Sequence, residues 1–149
     1  MIFHSKKGII LTLLNWILTI GSLFLPLAVF LDVGSIGDSL VMSEKILLTA
    51  ICSLFTLFLL SGWFLTFYIL TDTVLKVRGG FFMWKIPLNK IDSITATKNP
   101  LSAPALSLDR LQITYGNKFM LISPIDKDAF IKQITNKNPA IVINKKAIN

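Results

Sequence analysis

The chain has one cysteine, Cys52, and one histidine, His4. A lone cysteine excludes an internal disulfide, and its place inside an apolar run makes it a small buried residue rather than a redox or lipidated thiol. His4 stands beside Lys6 in a start that looks disordered, with no neighbours suited to metal binding or acid–base work. The chain also lacks a glycine-rich phosphate loop, a Ser-His-Asp set and a Cys/His cluster. No catalytic residue, metal ligand or cofactor is therefore expected, and an enzyme is not the expected class. Zinc-ligand spacing and the aromatic signature of RNA-binding sheets are missing too, which removes nucleic acid from the expected partners. The most informative absence is of charge. Ile9 to Leu31 and Ile46 to Leu70 contain no Asp, Glu, Lys, Arg or His.

Each of these runs exceeds the roughly 20 residues that a helix needs to cross about 30 Å of hydrocarbon. They explain a hydrophobic fraction of 53% and a mean hydropathy of +0.68, too high for a simple soluble domain. Lys6 and Lys7 precede the first run, as they would in a signal peptide. A signal peptide, however, has an apolar region of about 7–15 residues followed by a small-residue cleavage site. The longer run reads as an uncleaved anchor. The expectation is an N-terminal transmembrane hairpin over residues 1–71, with helices at about 9–31 and 46–70. Thr12, Asn15, Thr19 and Ser22 share one helical face, and Thr49, Ser53 and Thr56 another. With no ionisable residue in either run, these faces predict helix packing and modest hydrogen bonds rather than a polar path. Pro26, near Gly21-Ser22, predicts a kink.

Residues 1–71 balance Lys6, Lys7 and Lys45 against Asp32, Asp38 and Glu44, so the net charge of +7 belongs to residues 72–149. Positive charge stays cytoplasmic, which puts both termini on the inner side of the membrane and the Asp32–Lys45 connection outside. Trp63, Phe67 and Tyr68 fit an aromatic belt at the inner interface. Anionic lipid headgroups then become the nearest partner for the surplus charge, worth about 1 kcal/mol per well-placed Lys or Arg.

No flexible linker follows the second run. Val74 to Val77 is a β-rich segment, Arg78-Gly79-Gly80 turns, and Phe81 to Ile86 alternates as a return strand. Pro87 stops it, and Ile91 to Thr97 is a third candidate. Leu106 and Leu108 fall in opposite phase to Leu111, Ile113 and Tyr115, which predicts a bulge or bend near Asp109-Arg110. Gly116-Asn117 makes a second hairpin with Lys118 to Ser123. Ser123-Pro124 predicts a helix start with Ser123 as cap and Asp126 and Asp128 at the positive end. Phe130, Ile131 and Ile134 are its buried stripe.

The stretch Lys98-Asn99-Pro100-Leu101-Ser102-Ala103-Pro104-Ala105-Leu106-Ser107-Leu108-Asp109-Arg110-Leu111, with Tyr115-Gly116, Ile122-Ser123-Pro124 and Phe130-Ile131, closely resembles the YyaB-like bacterial PH domains. These are small pleckstrin-homology-like modules, usually behind one or two membrane helices. Ile86-Pro87-Leu88 and Ile91 resemble the family's step between strands. The likeness covers roughly Tyr68 to Pro139 and implies a bent antiparallel sheet capped by a C-terminal helix, with no established enzymatic activity. The expected fold is thus an α+β membrane protein: a two-helix transmembrane hairpin, a small antiparallel β-sheet PH-like domain at 72–139 with a C-terminal helix, and residues 140–149 as basic tail or extra strand. About five strands are countable, fewer than in a full pleckstrin-homology barrel. Ala140 to Asn144 could supply another, or the sheet could close against a second copy, making a homo-oligomer.

Two groups of residues are candidate contacts. Lys76, Arg78 and Lys85 flank the first hairpin, with Phe81 and Phe82 past its turn. The corresponding hairpin of eukaryotic pleckstrin-homology domains docks inositol-lipid headgroups, so the resemblance implies lipid contact there; the alternative is a solvated basic face. Asn99, Pro100, Ser102, Pro104, Ser107, Asp109 and Arg110 form a partner-binding or structural loop. Neighbouring strand residues point to opposite faces, so Asp109 and Arg110 are not expected to pair with each other. Asp109 or Ser107 would satisfy backbone groups of the loop, and Arg110 would bridge the sheet to a carboxylate. The expected function is a non-enzymatic integral membrane protein presenting a cytoplasmic PH-like domain as a protein-binding or scaffolding module. The alternatives are an anionic headgroup-sensing module and an immunity-type membrane protection factor. Membrane lipids, a membrane or cytoplasmic protein, and a second copy are the partners considered.

Overall fold

The computed structural model describes residues 1–31, 33, 37, 40–101 and 103–144. Asp32 and Asp38 of the connection, Ser102 of the loop, and the tail lysines Lys145 and Lys146 lie outside the described residues.

The first apolar run forms α1 (Ile9–Phe30), which contains Pro26, and the second forms α2 (Met42–Phe64). Both are long and apolar enough to cross a membrane, and only 22% of the most apolar stretch of each is buried. A core helix of a soluble protein would be mostly covered; here Leu13, Ile17, Leu54 and Phe58 face outward. Of the polar faces expected to pack, Thr19 and Thr56 are buried, whereas Ser53 is exposed and takes no part. Ser22 and Thr56 share a hydrogen bond of 2.8 Å between the helices. Thr12, Thr19, Thr49 and Thr56 donate to carbonyls one turn earlier in their own helices.

α2 ends at Phe64 instead of running to Leu70. The last part of the uncharged run is a strand, β2 (Phe67–Leu70), because Tyr68 and Leu70 alternate into a core made by the rest of the domain. Tyr68 is completely buried, so it does not belong to an interfacial belt. The start of the chain is ordered as well. β1 (Ile2–His4) pairs antiparallel with β2, and the terminal ammonium donates to the Leu70 carbonyl at 2.9 Å.

β3 (Val74–Gly79) and β4 (Phe82–Pro87) form the expected hairpin and complete a four-stranded antiparallel sheet in the order β1-β2-β3-β4. A short 3-10 turn at Leu88–Lys90 leads to β5 (Ile91–Thr97), followed by β6 (Arg110–Tyr115) and β7 (Lys118–Ile122). The second sheet runs β7-β6-β5-β8, its last member, β8 (Val142–Asn144), lying parallel to β5. Ala140 to Asn144 thus supplies an added strand from within the same chain. The phase change is resolved without a bulge at Asp109-Arg110. Leu106 to Asp109 stay outside the sheet and β6 begins at Arg110; the register irregularity falls instead between Ile91 and Ser93. That irregularity lets Ile91 and Ile94 both turn inward.

The core lies between the sheets, where Leu75, Val77 and Ile86 meet Ile94, Leu111, Ile113 and Ile122. α3 (Lys127–Lys137) closes it with Phe130 and Ile134. Phe130 meets Phe3 of β1 edge-to-face, with centroids 5.2 Å apart. The cap of α3 is Asp126, whose carboxylate accepts from the Ala129 amide at 2.8 Å, and not Ser123. Ser123 is fully buried and turned toward Tyr68 and Ser5, so its hydroxyl is already engaged.

Candidate functional site

The domain sits on the end of α2 through the β3–β4 turn. Gly80 has φ +61°, and a Cβ there would lie 2.8 Å from Ser61 Oγ and 3.1 Å from the Gly62 amide nitrogen. A Cβ on Gly79 would lie 2.7 Å from Pro104 Cβ. Only glycine allows the turn to touch the helix and the loop together. Phe81 and Phe82, just past the turn, remain 65% and 57% exposed.

The hairpin has two chemically different faces, because strand side chains alternate. On the outward face Lys76 stands directly opposite Lys85, and Arg78 opposite Met83. The Arg78 guanidinium lies 5.6 Å from the Phe67 ring centroid, and its Nε–H donates to the Gly80 carbonyl at 3.2 Å. Among the described residues, none of Lys76, Arg78 and Lys85 is ion-paired. Lys7, just before α1, lies over the end of α2: its ammonium is 4.7 Å from the Trp63 ring centroid and 5.5 Å from that of Phe64. Sequence reasoning used Lys7 only for orientation, although a lysine next to an apolar run facing Trp63-Phe64 in the other run was a usable sign of this contact.

On the other face, Phe82 and Trp84 line a groove of about 670 Å³ together with Phe58 and Gly62 of α2, Leu101 and Phe119. These residues come from four separate parts of the chain, so only the fold reveals the groove.

The loop between β5 and β6 forms one groove wall and contains the second group of candidates. Arg110 is 3% exposed, and among the described residues its guanidinium meets no carboxylate. Its nitrogens donate to the carbonyls of Ser107 at 2.7 Å, Asn99 at 2.9 Å, Leu101 at 2.5 Å and Ala105 at 3.5 Å. Burial lowers its pKa. The expected bridge across the sheet is therefore replaced by a hub for the loop backbone. Asn99 Oδ1 accepts from the Leu101 amide and Ser107 Oγ from the Asp109 amide. Pro104 offers its carbonyl to the Tyr68 hydroxyl at 2.8 Å, while Pro100 is exposed. Burial pushes the Tyr68 pKa up, against hydrogen bonds from the Ser123 backbone and with the Ser5 and Ser123 side chains, so the hydroxyl is a neutral donor.

Asp109 points away from Arg110 and pairs with Lys127 and with Lys6, the latter at 2.8 Å. Hydrogen bonds from Lys127 and then Lys6 hold its carboxyl below the usual carboxylate range. Two of the candidates thus act at different places: Arg110 inside the loop, Asp109 between the N-terminal segment and α3.

Residues 66–138 match the family model described as bacterial PH domain. The matched segment has a PH-like fold, an antiparallel sheet domain closed by a C-terminal helix, here preceded by two long apolar helices. No curated protein and no solved structure matches the chain.

Proposed function

We propose that this protein is a non-enzymatic integral membrane protein whose PH-like domain reads the anionic headgroups of the membrane that holds it. In this reading α1 and α2 cross a bacterial cell membrane as a hairpin, both termini are cytoplasmic, and the β3–β4 turn rests at the inner leaflet. The register of the hairpin carries the reading. Lys76 and Lys85 are directly opposed on the outward face, with Arg78 two residues nearer the turn, and none has an acidic partner among the described residues. Like charges placed opposite each other in a sheet repel. A phosphate between them turns that repulsion into attraction, at about 1 kcal/mol for each cation near an anionic surface.

The test is hydrogen–deuterium exchange of the full chain in vesicles of phosphatidylcholine, with and without phosphatidylglycerol. Slower exchange of β3 and β4 in the anionic vesicles is expected, reversed by high salt and absent from a Lys76→Gln/Lys85→Gln variant. Equal exchange in both vesicle types rules the reading out. A second reading, protein binding or scaffolding, is favoured by the exposed Pro100 and Leu101 on a loop that Arg110 makes rigid. A photo-crosslinker at Pro100 that captures one protein, and loses it when the loop is replaced, would favour that reading instead.

A further inference from the structure

Among the described residues, no charged side chain lines the groove on the opposite face of the hairpin. We propose that it holds one acyl chain of a phospholipid from the surrounding leaflet. This rests on the reading that α1 and α2 span the membrane, and not on headgroup charge.

Depth identifies the occupant. α2 is uncharged from Ile46 to its end at Phe64, a stretch of about 28 Å at 1.5 Å per residue, close to the thickness of the hydrocarbon layer. Phe64 therefore marks the inner boundary of that layer. Phe58 lies about 9 Å below it by the same rise, and is outward-facing. The groove thus begins on the lipid-facing surface of α2 and continues past Phe82 and Trp84 to Phe119 in the domain. A methylene chain is the apolar material present at its lower end, and the groove gives that chain a path continuous with the bilayer.

The walls are set before any ligand arrives. The loop carrying Leu101 is fastened by Arg110 to the carbonyls of Leu101 and Ala105, and by Tyr68 to that of Pro104. The hairpin carrying Phe82 and Trp84 is fixed where Gly80 meets Ser61 and Gly62. A binding site fixed in advance loses little conformational freedom on taking up its ligand.

The chain has three tryptophans, of which Trp84 alone lines the groove. Full-length protein with Trp16→Phe and Trp63→Phe keeps Trp84 as its only indole, and it is reconstituted in uncharged phosphatidylcholine brominated at mid-chain. Quenching of Trp84 by the bromines is expected. Two changes to lining residues then obstruct the groove. Gly62→Leu adds a side chain where a Cβ meets nothing within 4 Å, and Leu101→Asp places a carboxylate at an exposed wall position. Loss of quenching in both, with unchanged circular dichroism, supports the proposal. Quenching retained in either variant overturns it, because Trp84 would then merely skim bulk lipid. An unquenched parent also overturns it, and if that parent is a dimer, a second copy fills the groove. Since these vesicles carry no net charge, the outcome is independent of the headgroup reading.

Discussion

Arg110 carries its charge into a site formed by the carbonyls of Asn99, Leu101, Ala105 and Ser107. Truncation to Arg110→Met strands those acceptors, and a loss of about 3 kcal/mol is expected in denaturant unfolding of the full chain in detergent. Lysine at the same position restores only part of it, because one ammonium cannot reproduce a planar fork of donors. The sequence made Arg110 conspicuous but hid its role, since backbone carbonyls have no residue identity to read. Asp109 shows the opposite behaviour: its partners Lys6 and Lys127 are distant in sequence but act through plain charge. Its folded pKa is depressed, so its contribution is complete above the unfolded value of about 3.9 and disappears as pH falls through the folded one. Asp109→Asn should therefore cost stability at pH 7 but not in strong acid. The cost is expected to be about 0.5–1 kcal/mol, because the side chain is half exposed and screened.

The strands that sequence reasoning missed were hidden for identifiable reasons. In Phe67–Leu70 every residue is apolar, so neither the helical nor the alternating period can be told from the other. β1 is three residues long and is held largely by β2, whose presence had first to be known. The two hairpins were legible because each has a glycine turn between alternating strands, and α3 because of its apolar stripe. Its cap was misplaced to Ser123 because a buried serine and a capping serine look alike in sequence. Among the described residues, the positive-φ glycines Gly80 and Gly116 separate turn geometry from docking. Gly116, at φ +54°, has open space around it, so Gly116→Ala should cost about 1 kcal/mol in unfolding and no more. Gly80→Ala should cost more than Gly116→Ala and also raise protease sensitivity at the β3–β4 turn, because its methyl strikes the α2 contact as well. Equal behaviour of the two variants would show that the turn is not seated on the helix. Tyr68→Phe tests the tie between sheet and loop. It removes a hydroxyl that serves the Pro104 carbonyl, Ser5 and the Ser123 amide, and a loss of about 1–3 kcal/mol is expected.

At the scale of the whole molecule, the apolar helices were legible from the distribution of charge, and the sheet domain from its glycine turns and alternating segments. The seam between the parts was not, because it depends on close approaches between Gly80 and α2 and between Gly79 and Pro104. The placement of β1 has a further consequence, for synthesis. The ribosome makes this strand before either apolar helix and makes its partner, β2, only after both. If α1 and α2 span a membrane as proposed, an inserted chain completes the domain's first sheet only when the hairpin has returned it to the side from which it left. A chain with one helix left uninserted has β1 and β2 on opposite sides of the bilayer and an unfinished, protease-sensitive sheet. On that reading the sheet acts as a checkpoint for threading, closing over a two-pass hairpin and not over a half-inserted one.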